Sequence, residues 1–201
     1  MAETNPALNS VRKTTMGATF PYWAKVATDE TGAMPTYEGG TEFSEFVKVT
    51  ENLQKAESQF YSNDALSESA DEFKYCEITF DNKGVPNTLK AALYGAKLDG
   101  NRITYGAGDN PPMGGFAFYR VLQDNGTKYY EGVFYPRVKA SLTGMTYDTK
   151  GENVTFNGEQ TKLIAYATKT TAQEWKIEEI FATADEALAW VKEQLGIVTG
   201  A

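Results

Sequence analysis

Carboxylates are the first residues of this chain that could do chemistry: Glu45, Glu51, Glu57, Asp64, Glu68, Asp71, Glu72, Glu77, Asp81 and Glu131. Two of them facing each other, one buried and raised in pKa, are what glycoside hydrolysis needs. A chain with 27 acidic residues in 201 yields such pairs by chance, however, and an acidic face is ordinarily a solvated one. Histidine is absent, which removes the commonest general base and the commonest metal ligand. The one cysteine, Cys76, has neither a disulfide partner within the chain nor a histidine to activate it, and its place in FKYCEITFD reads as a small core residue. Gly106-x-Gly108 does not lead from a strand into a helix and is no dinucleotide loop. Asp148, Glu152 and Asn153 are calcium-ligand types without the spacing of a known loop. The expectation is a protein that is not an enzyme and that has no cofactor and no metal.

A second group of residues suits binding. Tyr105, Tyr119, Tyr129, Tyr130, Tyr135 and Tyr147 would stack against sugars if they shared a surface, and a carbohydrate-binding β-sandwich module is the alternative function. Tyrosine equally fills half-buried sheet faces and protein interfaces, and that reading is preferred. The net charge of −8 argues against a binder held by phosphate contacts. Nothing near Met1 resembles a signal peptide, and no window approaches membrane-spanning length. One cysteine suits a reducing compartment.

The elements that would position these residues are mostly strands. Gly114–Gly144 holds the strongest signal, a hairpin about Asp124-Asn125-Gly126, whose Asn and Gly tolerate positive φ. Phe116 and Phe118 share one face with Arg120, while Tyr119 and Val121 share the other, so both faces need cover. Residues 1–15 read as a polar arm, and 16–201 as one β-sandwich domain of antiparallel strands. Within it, Met16–Val26 is a strand in which Pro21 implies a sheet edge or bulge. Phe43–Lys55 and Phe73–Asp81 are further strands, the second with Lys74, Cys76, Ile78 and Phe80 on one face. Between them the chain is polar, and 51–72 reads as a long loop of the kind that serves an interaction. Pro86–Tyr94 reads as a short helix between sheets, with Asn87 as N-cap, Leu89, Ala92 and Leu93 as its apolar stripe, and Gly95 as its stop. Asn101–Tyr105 is a strand candidate, and Val154–Phe156 with Thr161–Thr168 form a second hairpin about Asn157-Gly158. A C-terminal helix spans 184–195, with a Thr183/Glu186 capping box, an Ala187, Leu188, Val191 and Leu195 face, and Gly196 closing it.

The order of these elements resembles the major tail proteins, or tail tube proteins, of long-tailed phages of the phi13 type. Three passages carry the resemblance: AESQFYSNDALSES leading into EFKYCEITF over Ala56–Glu77, the leucine-rich helix Val85–Gly95 closed by glycine, and the run Pro111–Lys169 with its Pro-Pro, Asn-Gly turn and aromatic strand. Together they cover more than half the chain. The resemblance implies a virion structural protein, made in the host cytoplasm. It would assemble as a homo-oligomer, in hexameric rings stacked into a tube that meets a tape measure protein and a tail terminator. DNA would pass through the lumen without specific binding, and no membrane is involved. Six copies at −8 would carry about −48 per ring, a charge that lets DNA slide without sticking. On this reading Glu51, Lys55, Gln59, Phe60, Tyr61, Asn63 and Leu66 form an inter-subunit loop.

Overall fold

A computed structural model of the chain describes residues 8, 14–44, 46–62, 65–142 and 159–197, with the side chains of 19–20, 46–47 and 57–71 excepted. The fold is mainly β. Eight of its strands form one antiparallel sheet in the order β2-β1-β7-β8-β9-β4-β3, with β10 added to β8. The strands are β1 (Thr14–Thr28), β2 (Thr36–Glu42), β3 (Phe46–Ser62), β4 (Ala65–Asn82), β7 (Met113–Asp124), β8 (Thr127–Ser141), β9 (Glu159–Ala165) and β10 (Ile177–Phe181). A separate two-stranded hairpin joins β5 (Lys97–Asp99) to β6 (Arg102–Thr104).

β8 makes this sheet a sandwich. It pairs with β7 from Thr127 to Lys139, but its other edge is shared: Tyr130–Phe134 pair with β10 and Val138–Ser141 with β9. At the changeover Pro136 and Arg137 lie between the pairs Phe116↔Tyr135 and Gly114↔Val138, where β7 has only Gly115. Two residues facing one is a bulge, and Pro136, with no N–H to give to a ladder, occupies it. The bulge turns the inward positions from Val133 and Tyr135 to Val138 and Ala140, all in one buried cluster. Pro21 sits at the corresponding break in β1, between Thr19 and Tyr22, so it marks a bulge, at the point where pairing with β2 begins beside that with β7.

Both faces of the β7–β8 hairpin are covered, as its mixed alternation demanded. Phe116, Phe118, Val133 and Tyr135 face Cys76, Ile78, Phe80 and Leu163 in the main core. Ala117, Tyr119 and Phe134 lie beneath helix α2 (Ala184–Gln194), against Ala187, Trp190 and Val191. Gly132 lets α2 approach, since a Cβ there would stand 2.4 Å from the Trp190 ring. The hairpin turns at Asn125 (φ 48°) and Gly126 (φ 85°), both in the left-handed region, as a two-residue type I′ loop requires. The capping box forms as read: Thr183 accepts from the Glu186 N–H, and the Glu186 carboxylate accepts from the Thr183 N–H.

Helix α1 (Asn87–Tyr94) closes one end of the core with Leu89 and Leu93, and Gly95 ends it at φ 68°. Its start differs from the sequence reading. Pro86 is the N-cap and Asn87 is already helical, with no side-chain cap, because proline's fixed φ serves the chain entry equally well. Ala92 is exposed, and Tyr94 is buried in its stead. The largest difference concerns 51–72. It is strand on both sides of residues 63–64 and not loop, because Glu51–Lys55 ladder with Phe73–Ile78 and the two halves then ladder with each other from Ala56↔Glu72 to Ser62↔Ala65. Strand β10 was not anticipated. The first strand of the second predicted hairpin, Val154–Phe156, lies outside the described residues, as does most of the arm 1–15, whose last two residues open β1.

Candidate functional site

The long β3–β4 hairpin is the feature that the rest of the fold does not account for. β4 pairs with β9 only from Cys76 to Asn82. Beyond Phe73, whose ring stacks on Trp175 with centroids 4.9 Å apart, the register partners of Lys55–Ser62 are Ala65–Phe73 alone. Seven residues at about 3.3 Å each carry the tip roughly 23 Å past that last stacked ring. The whole of β3 is also an edge: it ladders with β4 on one side and with no described strand on the other. The predicted inter-subunit residues distribute along this element. Glu51 lies at its root, Lys55 pairs with Phe73, Gln59 with Ser69, Phe60 with Glu68, and Tyr61 with Leu66, while Asn63 lies outside the described residues. Lys55 is the sole cation between 51 and 72, against six acids.

At the root the arm is tied to the sandwich by a charged network. Glu51 accepts from the Tyr135 hydroxyl and from Lys176 Nζ, at 2.9 and 3.0 Å from its two oxygens. Lys176 also bridges to Glu178 at 2.8 Å, Glu178 reaches Arg120 at 3.2 Å, and Arg120 Nε pairs with the fully buried Glu131. Burial pushes the Tyr135 phenol far up, and the Glu51 carboxylate adds to it, so Tyr135 donates at any ordinary pH. Burial alone would lower Lys176, but hydrogen bonds to Glu178 and Glu51 outweigh it and hold the ammonium charged. Arg120 balances the same way, with Glu131 opposing the cost of burial. Beside this network a cleft of about 220 Å³ opens between the unpaired edges of β1 and β3, lined by Thr15, Gly17, Ala18, Lys48, Val49, Glu51, Phe118 and Arg120.

Among the described residues, the carboxylates that suggested catalysis do not form an acid–base pair. Glu51 and Glu131 are tied to cations as above, Glu77 bridges to Lys162 at 2.8 Å, and Asp81 accepts from Gln160 at 3.0 Å. Glu72 is exposed. Glu45 and Asp64, and the side chains of Glu57, Glu68 and Asp71, lie outside the description, as do Asp148, Glu152, Asn153 and Tyr147. Among the described residues no three His, Cys, Asp or Glu side chains are grouped to hold a metal ion. The tyrosines are dispersed. Tyr135 is in the core between the layers, Tyr119 and Tyr130 meet edge to face on the α2 side, and Tyr105 lies against Tyr94 of α1. Cys76 is buried, and burial, reinforced by Glu51, pushes its thiol up to about 11, which makes it inert as a nucleophile.

Sequence reasoning found Glu51 but missed Lys176, which holds it, and the neighbours Trp175 and Glu178. They follow a polar turn and stand 125 residues or so from their partner, a separation that no local pattern spans. The strand character of 51–72 had one legible signal: Asn63-Asp64, turn formers, flanked by Phe60-Tyr61 and Leu66. No helix among the described residues is long and apolar enough to cross a membrane. No protein-family model matches the chain, and no curated protein matches its sequence.

Proposed function

We propose that the chain is a structural subunit that assembles with copies of itself, specifically the tube subunit of a phage tail, in stacked hexameric rings through which the genome passes. The observation that carries this reading is the arm: a hairpin some 23 Å long, laddered among the described residues only to itself, on the outermost strand of the sheet. An isolated two-stranded hairpin is marginal in water, and a long open strand edge is a template for another chain. Both conditions are met if sister subunits cover the arm, and a head-to-tail contact that closes gives a ring while a second that does not gives a filament. The acidic composition fits a conduit for DNA better than a DNA binder. By the same reading a tape measure protein and a tail terminator are its partners in the virion.

The experiment shortens the arm at its own register. Replacing Gln59–Ser69 with Asn-Gly makes Ser58↔Ala70 the terminal pair of a two-residue hairpin. The shortened protein folds, with its urea-unfolding free energy within about 1 kcal/mol of the parent, and no longer forms tubes by negative-stain microscopy where the parent does. A parent that stays monomeric at all concentrations and salts ends the proposal.

A further inference from the structure

The arm is gripped at its root by two consecutive residues, one for each of its strands. Trp175 stacks on Phe73 of β4, with the rings 15° from parallel. Lys176 donates to both oxygens of Glu51 on β3. Neither residue belongs to the arm or to the strands beside it. They end a polar turn and lead into β10, which is anchored on β8 from Ile177↔Phe134 to Phe181↔Tyr130. The turn is pinned from behind: Glu174 accepts from the hydroxyls of Thr168 and Thr170, and the Thr168 N–H reaches the Glu174 carbonyl at 2.9 Å. Gln173 is held there at φ 52°, its N–H on Thr170. A fixed base therefore presents one ring and one ammonium to the two strands of a lever.

We propose that Trp175 and Lys176 are a clasp that sets the direction of the arm, and that assembly requires the clasp to be closed. A lever 23 Å long magnifies small changes at its root. A rotation of about 10° at Phe73 would displace the tip by roughly 4 Å, close to the spacing of one strand, which is enough to lose a register with a neighbour. Removing the ammonium would free Glu51 from the turn before β10 while leaving it the Tyr135 hydroxyl, so the fold retains its core and β3 loses its tie to that turn. Lys176 and Trp175 are positioning residues: they act on the arm and through it on whatever the arm meets. The part of the proposal that concerns assembly rests on the tail-tube reading, whereas the part that concerns the clasp does not.

The test separates the two by measuring amide hydrogen exchange on the unassembled protein and tube formation on the concentrated protein, for Lys176→Met, Lys176→Arg and Glu51→Gln. Lys176→Met and Glu51→Gln are expected to raise exchange of 55–62 and 65–72 by tenfold or more, leave Phe116–Leu122 and Val133–Tyr135 unchanged, and slow tube formation at least tenfold. Lys176→Arg, which keeps a donor and its charge, restores most of the protection. Unchanged exchange in the arm overturns the clasp, and so does faster exchange spread evenly over the sandwich, the signature of a merely stabilising residue. If arm exchange responds but the parent forms no tubes, the clasp stands and the tail-tube reading fails.

Discussion

The two halves of β4 differ as much as two strands can. Phe73–Asn82 is paired on both sides over most of its length, with β3 and with β9, and buries Cys76, Ile78 and Phe80. Among the described residues, Ala65–Glu72 is paired with β3 alone. The sequences differ accordingly, FKYCEITF against ALSESADE, yet both halves are strand. In the first, side-chain burial and ladder agree. In the second, the ladder runs on through residues with little preference for it, because the register set in the sandwich continues outward. Strand formation there is inherited from the register set in the sandwich.

The sharpest way to break this contrast is at the well-supported half. Phe80 stacks on Phe116 at 5.0 Å and meets Phe43 edge to face at 5.2 Å, with 1 % of its surface exposed. Phe80→Ala is expected to cost about 3–5 kcal/mol in urea unfolding, through lost transfer energy and the cavity left behind. A cost below about 1 kcal/mol would mean that Phe80 is less firmly packed than its burial implies.

Alkaline pH probes the same half at Cys76. Its thiol ionises near 9 ordinarily and near 11 in the fold, with burial the main cause. Because the folded value is the higher one, the unfolded chain loses its proton first. The contribution to stability is whole below pH 9 and drains as pH rises from there through about 11. Cys76 then accounts for at most about 1.4 kcal/mol per pH unit across that window. Tyr94, moved up to about 12 by burial, and Tyr135 act in the same direction. Urea midpoints measured from pH 8 to 11 should fall less steeply for Cys76→Ala than for the parent, and equal slopes would contradict the burial assigned to the thiol.

Helix α2 offers a smaller and purely local test. Thr183→Ala removes the acceptor for the Glu186 N–H and is expected to cost about 1 kcal/mol by thermal unfolding. This cap was legible in the sequence because its signal lies within four residues. The Asn125-Gly126 turn, the Cys76–Ile78–Phe80 face and the Gly95 stop were legible for the same reason: each is a local pattern with one physical meaning. What escaped reading depended on distance or on inheritance. β10 is a five-residue strand whose partner lies some 45 residues earlier, and Lys176 finds Glu51 across the whole sandwich. The arm escaped because propensity was asked to decide what register decides.

The smallest expected effect on stability is the most telling. If the distal half of β4 is held only by its hairpin partner, then substitutions along it should leave the isolated subunit almost untouched. Leu66 is the register partner of Tyr61, near the tip. Leu66→Ser and Tyr61→Ser are each expected to change the unfolding free energy of the monomer by no more than about 0.5 kcal/mol, the range of surface positions. If the arm meets sister subunits as proposed, the same substitutions should raise the concentration needed for tube formation several-fold, since an interface residue acts only when its partner is present. A loss of 2 kcal/mol or more in the monomer would mean that the tip is packed within its own subunit. The arm would then be a structural strut, and the contrast between the two halves of β4 would be one of composition alone.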